Sequence, residues 1–126
     1  MKQLIVVGTT RKGRATGLVA EAVEKEFSTQ HEVEVFDLKN REVPPMEARL
    51  SNAENPPEDV EKFSELVQWC DMLTIVTPEY NHSIPGPLKN CIDYLYSEYS
   101  GKAFSYVTVS AGGFGGVRSQ SHLHDI

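Results

Sequence analysis

The sequence predicts an α/β domain in which helices cover a parallel sheet. Three observations carry that prediction. Short apolar runs rich in branched residues alternate with amphipathic stretches of helical period along the 126 residues. The order reads β-α-β-α-β-α-β and then the opening of another helix, and such alternation calls for a parallel sheet with right-handed crossovers and helices on both faces. Polar loops follow the first and third apolar runs directly, where an open parallel sheet binds its ligands, beyond the carboxyl ends of its strands.

Each element has its own signal. Leu4-Ile5-Val6-Val7 is a continuous apolar run ending at Gly8, as in a strand buried on both faces. From Thr16 to about Phe27, Leu18, Val19, Ala22, Val23 and Phe27 recur at helical spacing, with Glu21, Glu24, Lys25 and Glu26 opposite. Val33 to Leu38 alternates imperfectly, as a less buried second strand does. Residues 39–57 carry Pro44, Pro45, Pro56 and Pro57 with little periodicity and read as a long loop, a class that is often functional. A helix begins near Glu58, with Val60, Phe63, Leu66 and Val67 on one face. The third strand is Met72 to Thr77. Pro85-Gly86-Pro87 opens the third helix, since proline suits a first helical turn. Its apolar stripe is Leu88, Cys91, Ile92 and Leu95. Ala103 to Ser110 forms the fourth strand, before the glycine-rich 111–116 segment.

Bulk properties narrow the function. The length fits one domain, residues 1–126. A net charge of -6 argues against nucleic acid as a partner, because such proteins carry a basic surface. Arg11, Lys12 and Arg14 nevertheless gather in one loop, so an anionic ligand remains in reach. Cys70 and Cys91 are isolated thiols in apolar settings, expected to be reduced core residues. Leu4 to Val7 is too short for a signal-peptide core or a membrane span, so a cytoplasmic protein with no membrane association is expected. No cluster has metal-ligand spacing, and no metal is expected.

The first loop, Gly8-Thr9-Thr10-Arg11-Lys12-Gly13-Arg14, has the makings of a phosphate seat. Backbone N–H groups converge at a helix N-terminus and its dipole favours an anion. Thr9, Thr10 and Thr16 bring hydroxyls, and Arg11 can make a bidentate contact. Gly8 and Gly13 have the spacing of a Walker loop, but Arg14 stands in place of its lysine and no serine or threonine follows. A strand-to-helix turn with solvated basic residues fits the same segment.

Taken with Pro78-Glu79-Tyr80-Asn81-His82-Ser83-Ile84-Pro85-Gly86 and Leu88-Lys89-Asn90, the first loop resembles the NADPH-dependent FMN reductase family. The Ser110-Ala111-Gly112-Gly113-Phe114-Gly115-Gly116 segment resembles that family's loop after strand four, so the likeness spans essentially the whole chain. It implies a flavodoxin-like three-layer sandwich with a parallel sheet in the order 2-1-3-4. It also implies FMN as cofactor and NADPH or NADH as donor. Thr9, Arg11 and Arg14 would then hold the FMN phosphate, with backbone amides of Thr10 and Lys12, while Thr16 has an open role. Pro78, Glu79, Tyr80 and Asn81 would run along the isoalloxazine and ribityl groups, and Ser110, Gly112 and Gly113 would approach the ring through backbone. Glu79 is equally suited to brace its loop, and Tyr80 to pack on a neighbouring subunit. His82 reads as structural, Lys89 as a solvated helix residue, and His122 and His124 receive no role.

The function implied is an NAD(P)H-dependent FMN reductase. Hydride passes through the flavin to a small-molecule acceptor (a quinone, azo compound, metal or free flavin), and no protein side chain is catalytic. An FMN-binding electron-transfer module, or an inactive fragment, is the alternative. Family members continue into a fifth strand and a closing helix, so the chain is expected to be C-terminally truncated, with the fifth strand absent. Strand four would then be an open edge, which calls for a homodimer, a homotetramer or an exchanged element, and for weakened flavin affinity.

Overall fold

The computed structural model describes residues 1–126. The strands are β1 (Lys2–Val7), β2 (Glu32–Asp37), β3 (Met72–Pro78) and β4 (Ala103–Val109), and the helices are α1 (Thr16–Phe27), α2 (Glu58–Trp69), α3 (Gly86–Asp93) and α4 (Val117–Asp125). The strands pair in parallel in the order β2-β1-β3-β4, as the flavodoxin-like resemblance implies. Strand bounds widen by a residue or two on Leu4–Val7, because Lys2 and Gln3 join the ladder opposite Glu32 and Val33 despite their polarity.

Alternation along the strands sorts the core into two layers. Leu4, Val6, Phe36, Leu73 and Ile75 point to the side covered by α2, α3 and α4, in one cluster with Val60, Phe63, Val67, Leu88, Cys91 and Leu123. Phe36 and Phe63 meet there with ring centroids 4.9 Å apart. Ile5, Val7 and Val76 point to the other side, where Ala20, Val19, Val23 and Phe27 of α1 pack on them. Helices therefore cover both faces, but unequally. β4 is the most exposed strand; Val107 and Val109 are half-buried beside α1, and Phe104 is 42% exposed on the opposite face.

The proline-rich 39–57 segment is not a free loop. It contains short 3-10 turns at Leu38–Asn40 and Leu50–Asn52, and it is strapped to α3. Proline offers a carbonyl but no N–H, and those carbonyls are collected by α3 and its end: Asn90 Nδ2 donates to Pro44 O at 2.7 Å and Tyr94 Oη to the same oxygen at 3.1 Å. In return Met46 N donates to Asn90 Oδ1 at 2.8 Å, and Leu50 N to Tyr94 O at 2.9 Å. One asparagine thus ties down both sides of the turn.

Both cysteines are free and buried. Burial pushes the Cys91 thiol up from its ordinary 9.0 to about 12. An unfolded chain releases that proton near the ordinary value, so above it the unfolded state binds fewer protons than the folded one. Stability then falls as pH rises from about 9 to 12, by up to ~1.4 kcal/mol per pH unit for this group. Urea unfolding followed across that range should show a shallower alkaline decline for Cys91→Ala than for the parent chain, whatever the offset in absolute stability.

Candidate cofactor site

Gly8 begins the site. Its N–H donates to Val76 O at 2.9 Å, which holds the end of β1 against β3. A Cβ at this position would stand 2.7 Å from Leu88 Cδ2 and 3.2 Å from Thr77 Cβ, so glycine lets the chain pass between α3 and β3 without displacing the buried Leu88. The chain then turns into the first loop and reaches α1 through Ala15, which makes no side-chain cap. The first turn of α1 contains no acidic residue. Its amide donors and dipole therefore face the loop without a carboxylate to answer them.

The three basic residues of the loop part ways. Arg11 and Lys12 are exposed, whereas the Arg14 side chain is only 7% exposed. Arg14 turns inward, with Nη1 donating to Thr9 O and Nη2 to the Asp37 carboxylate at the end of β2. Asp37 is itself fixed, since its other oxygen accepts from Lys39 N at 3.0 Å. The structure thus places Arg14 beneath the loop as a brace that holds the Thr9 carbonyl. Asp37 was not singled out in the sequence; a carboxylate closing a strand gives no signal until its partner is seen. Thr16 is buried at the start of α1, and Thr10 is exposed.

Loop two meets loop one through a single residue. Tyr80 Oη is 2.9 Å from Thr9 Oγ1, and Arg11 Nε donates to it at 3.0 Å. Tyr80 can hold this place because the chain reverses tightly after it. Tyr80 N donates to Ser83 O at 2.9 Å and Ser83 N to Tyr80 O at 3.0 Å. Asn81 and His82 between them have φ of 49° and 67°. Two successive residues at positive φ make the twisted two-residue turn usual in hairpins, and asparagine tolerates it well.

Glu79 braces its loop against α4. Its Oε2 accepts from Arg118 N at 3.1 Å, and Oε1 is 3.8 Å from Arg118 Nη1. Arg118 sits in the first turn of α4, so the carboxylate serves an N–H that has no helical acceptor. Ser83 Oγ and His122 Nδ1, 2.7 Å apart, close the same seam. His122, given no role from sequence, therefore has one: α4 is already formed there and brings its ring back to loop two. Lys89 pairs with Asp93 one turn on, in keeping with a solvated helix residue.

Pro78 ends β3, directly opposite Val109 in the ladder, so the loops after β3 and β4 leave the sheet side by side. Ser110, Gly112 and Gly113 are exposed in the third loop, where Gly112 N donates to Ser110 Oγ at 3.0 Å. All three predicted loops therefore rim one end of the sheet. Direct side-chain bonds join the first to the second and the second to α4.

The arrangement suits a phosphorylated, planar ligand. Hydroxyl and guanidinium donors gather in the loop that leads into α1, and the Asp37 carboxylate beneath it is paired with Arg14; that chemistry fits a phosphate dianion. The exposed glycines of the third loop leave room for a ring. No group of three or more His, Cys, Asp and Glu gathers as a metal site, and no helix is long and apolar enough to cross a membrane.

Comparison with known proteins agrees with this geometry. A family model described as NADPH-dependent FMN reductase matches residues 1–126. A quinone reductase of Escherichia coli K12 is 35% identical over 130 residues, covering 100% of this chain and 69% of that protein. An NADPH azoreductase of a Bacillus species is 35% identical over 128 residues, covering 98% of this chain and 67% of that protein. The chain thus spans about two thirds of their length. Among solved structures, the flavoenzyme NAD(P)H:(acceptor) oxidoreductase FerB of Paracoccus denitrificans superposes with a TM-score of 0.83 at 23% identity, covering 98% of this chain and 69% of that one, and shares the fold.

The Arg14–Asp37 contact makes a measurable prediction. The pair is only partly buried, so removing one partner costs about what a hydrogen bond to a charged group is worth, roughly 1.5–3 kcal/mol. Urea unfolding of Asp37→Ala should show a loss of that order. Arg14→Met combined with Asp37→Leu should recover much of it.

Proposed function

Because the chain belongs to the NADPH-dependent FMN reductase family, we propose that it binds FMN across its first and second loops and passes reducing equivalents from NADPH or NADH to a quinone or azo acceptor. The observation that carries the reading is the convergence of Thr9 Oγ1 and Arg11 Nε, in the loop that leads into α1, on the Tyr80 oxygen of the second loop. Bound FMN would supply the redox chemistry, accepting two electrons with a proton from the nicotinamide and releasing them to the acceptor.

The residues of this chain have the work of binding and orienting. Thr9, Thr10, Arg11 and Lys12 would hold the phosphate, the last three through exposed side chains or amides. Arg14 supports them from below and keeps Asp37 from repelling the anion. Pro78, Glu79, Tyr80 and Asn81 would form one wall along the ring, with Glu79 held back by Arg118 so that its charge is partly answered before a ligand arrives. Ser110, Gly112 and Gly113 would form the facing rim. No side chain of the site is asked to act as a nucleophile.

The acidic surface, with reduced buried thiols, suits the cytoplasm.

Titration of FMN with the purified chain tests the reading. Flavin fluorescence should be quenched saturably, and NADPH should then be oxidised when a small quinone is added. Arg11→Ala should weaken FMN binding about tenfold, the worth of one charged hydrogen bond. Absence of quenching by the parent chain would end the flavin reading; quenching without turnover would leave a flavin-binding electron-transfer module.

A further inference from the structure

The groups between the two loops are joined through the Tyr80 oxygen. Arg11 N donates to Thr9 Oγ1 at 3.3 Å, so the threonine hydroxyl hydrogen is free for the Tyr80 oxygen 2.9 Å away. Arg11 Nε donates to that same oxygen at 3.0 Å. The phenolic oxygen accepts from the guanidinium, and it can also accept from the threonine hydroxyl. A phosphate oxygen asks for the same kind of pair, one donor neutral and one cationic.

Tyr80 is built to stay at this point. The Asn81-His82 reversal fixes its backbone through the paired bonds to Ser83, and the Arg11 guanidinium also stands 5.9 Å from its ring centroid. Thr9 is 1% exposed, so its hydroxyl has little water to turn to. Without an acceptor it would be a nearly buried donor left unmade, which is costly.

We propose that the Tyr80 hydroxyl is an internal stand-in for the ligand's phosphate: it keeps Thr9 and Arg11 aimed into the first loop and is displaced when a phosphorylated flavin enters. This inference rests on the first loop being the phosphate seat of the proposed function. The device preorganises the donors and at the same time competes for them. Its energetic effect falls on the phosphate alone, because a flavin without one has no need of Thr9 and Arg11. Tyr80 therefore lowers the preference for FMN over riboflavin, while its ring remains available to both.

Tyr80→Phe separates the hydroxyl from the ring and leaves the turn intact. Dissociation constants of FMN and of riboflavin are measured for both proteins by fluorescence quenching, and melting temperatures are recorded with and without inorganic phosphate. The expected result is a rise of about fivefold in the FMN-to-riboflavin affinity ratio, corresponding to one net hydrogen bond. Riboflavin affinity should change less than FMN affinity, and the melting temperature without ligand should fall. Inorganic phosphate should raise the melting temperature of the variant more than that of the parent.

An unchanged ratio would overturn the stand-in, and a lowered one would make the hydroxyl a direct partner of the phosphate. A parent chain that binds both flavins equally would place the phosphate elsewhere, and the inference would fall with that part of the proposed function. If neither protein binds flavin, the proposed function fails, and an equal phosphate effect on the two melting temperatures would then overturn the stand-in separately.

Discussion

Parallel pairing of β1 with a neighbour on each side is the constraint on which the rest depends. It aligns the carboxyl ends of β2, β1 and β3, so that Asp37, Gly8 and Pro78 leave the sheet at one level. The contacts of the first loop are exchanges between those three strand ends. Arg14 ties the first loop to the end of β2, Tyr80 ties it to the loop after β3, and Gly8 clears the path between them. An antiparallel neighbour would send one of these loops to the far end of the sheet and leave its polar groups without partners.

Charge is arranged around the same constraint. The chain as a whole is acidic, yet the carboxylates nearest the loops are answered from within: Asp37 by Arg14, Glu79 by Arg118 and the first turn of α4. What remains facing outward at the first loop is Arg11 and Lys12. A local positive field can therefore persist on a negative protein, because short-range pairing removes the opposing charges more effectively than the distant surface can restore them.

Much of this organisation could be read from residue order. Continuous apolar runs such as Leu4–Val7 and Leu73–Val76 identify strands covered on both faces, and the resemblance of the two polar loops to one family supplied the sheet order. Three things could not be read. Arg14 looks like its basic neighbours, and only the position of Asp37 across the sheet shows that it faces inward. The 39–57 stretch looks unstructured because prolines lack donors, whereas its carbonyls find Asn90 and Tyr94 of a distant element. His122 lies near the last residue and looked uninformative, but one turn of α4 carries it back to Ser83. In each case the deciding partner is more than twenty residues away, beyond the reach of periodicity.

Unequal cover of the two sheet faces has a consequence for how the molecule breathes. β2 and β4 each have one paired edge, and β4, unlike β2, has no fully buried side chain, so its outer amides are the less protected of the two. Fraying should begin there, and β3 would then become the border of a smaller β2-β1-β3 unit. The first and second loops both spring from that inner unit, so the contact of Thr9 with Tyr80 can outlast the departure of β4. The Glu79–Arg118 and Ser83–His122 bonds cannot, since they end on α4. Local opening thus divides the rim into a persistent half that carries the basic loop and a transient half that comes and goes with the fourth strand.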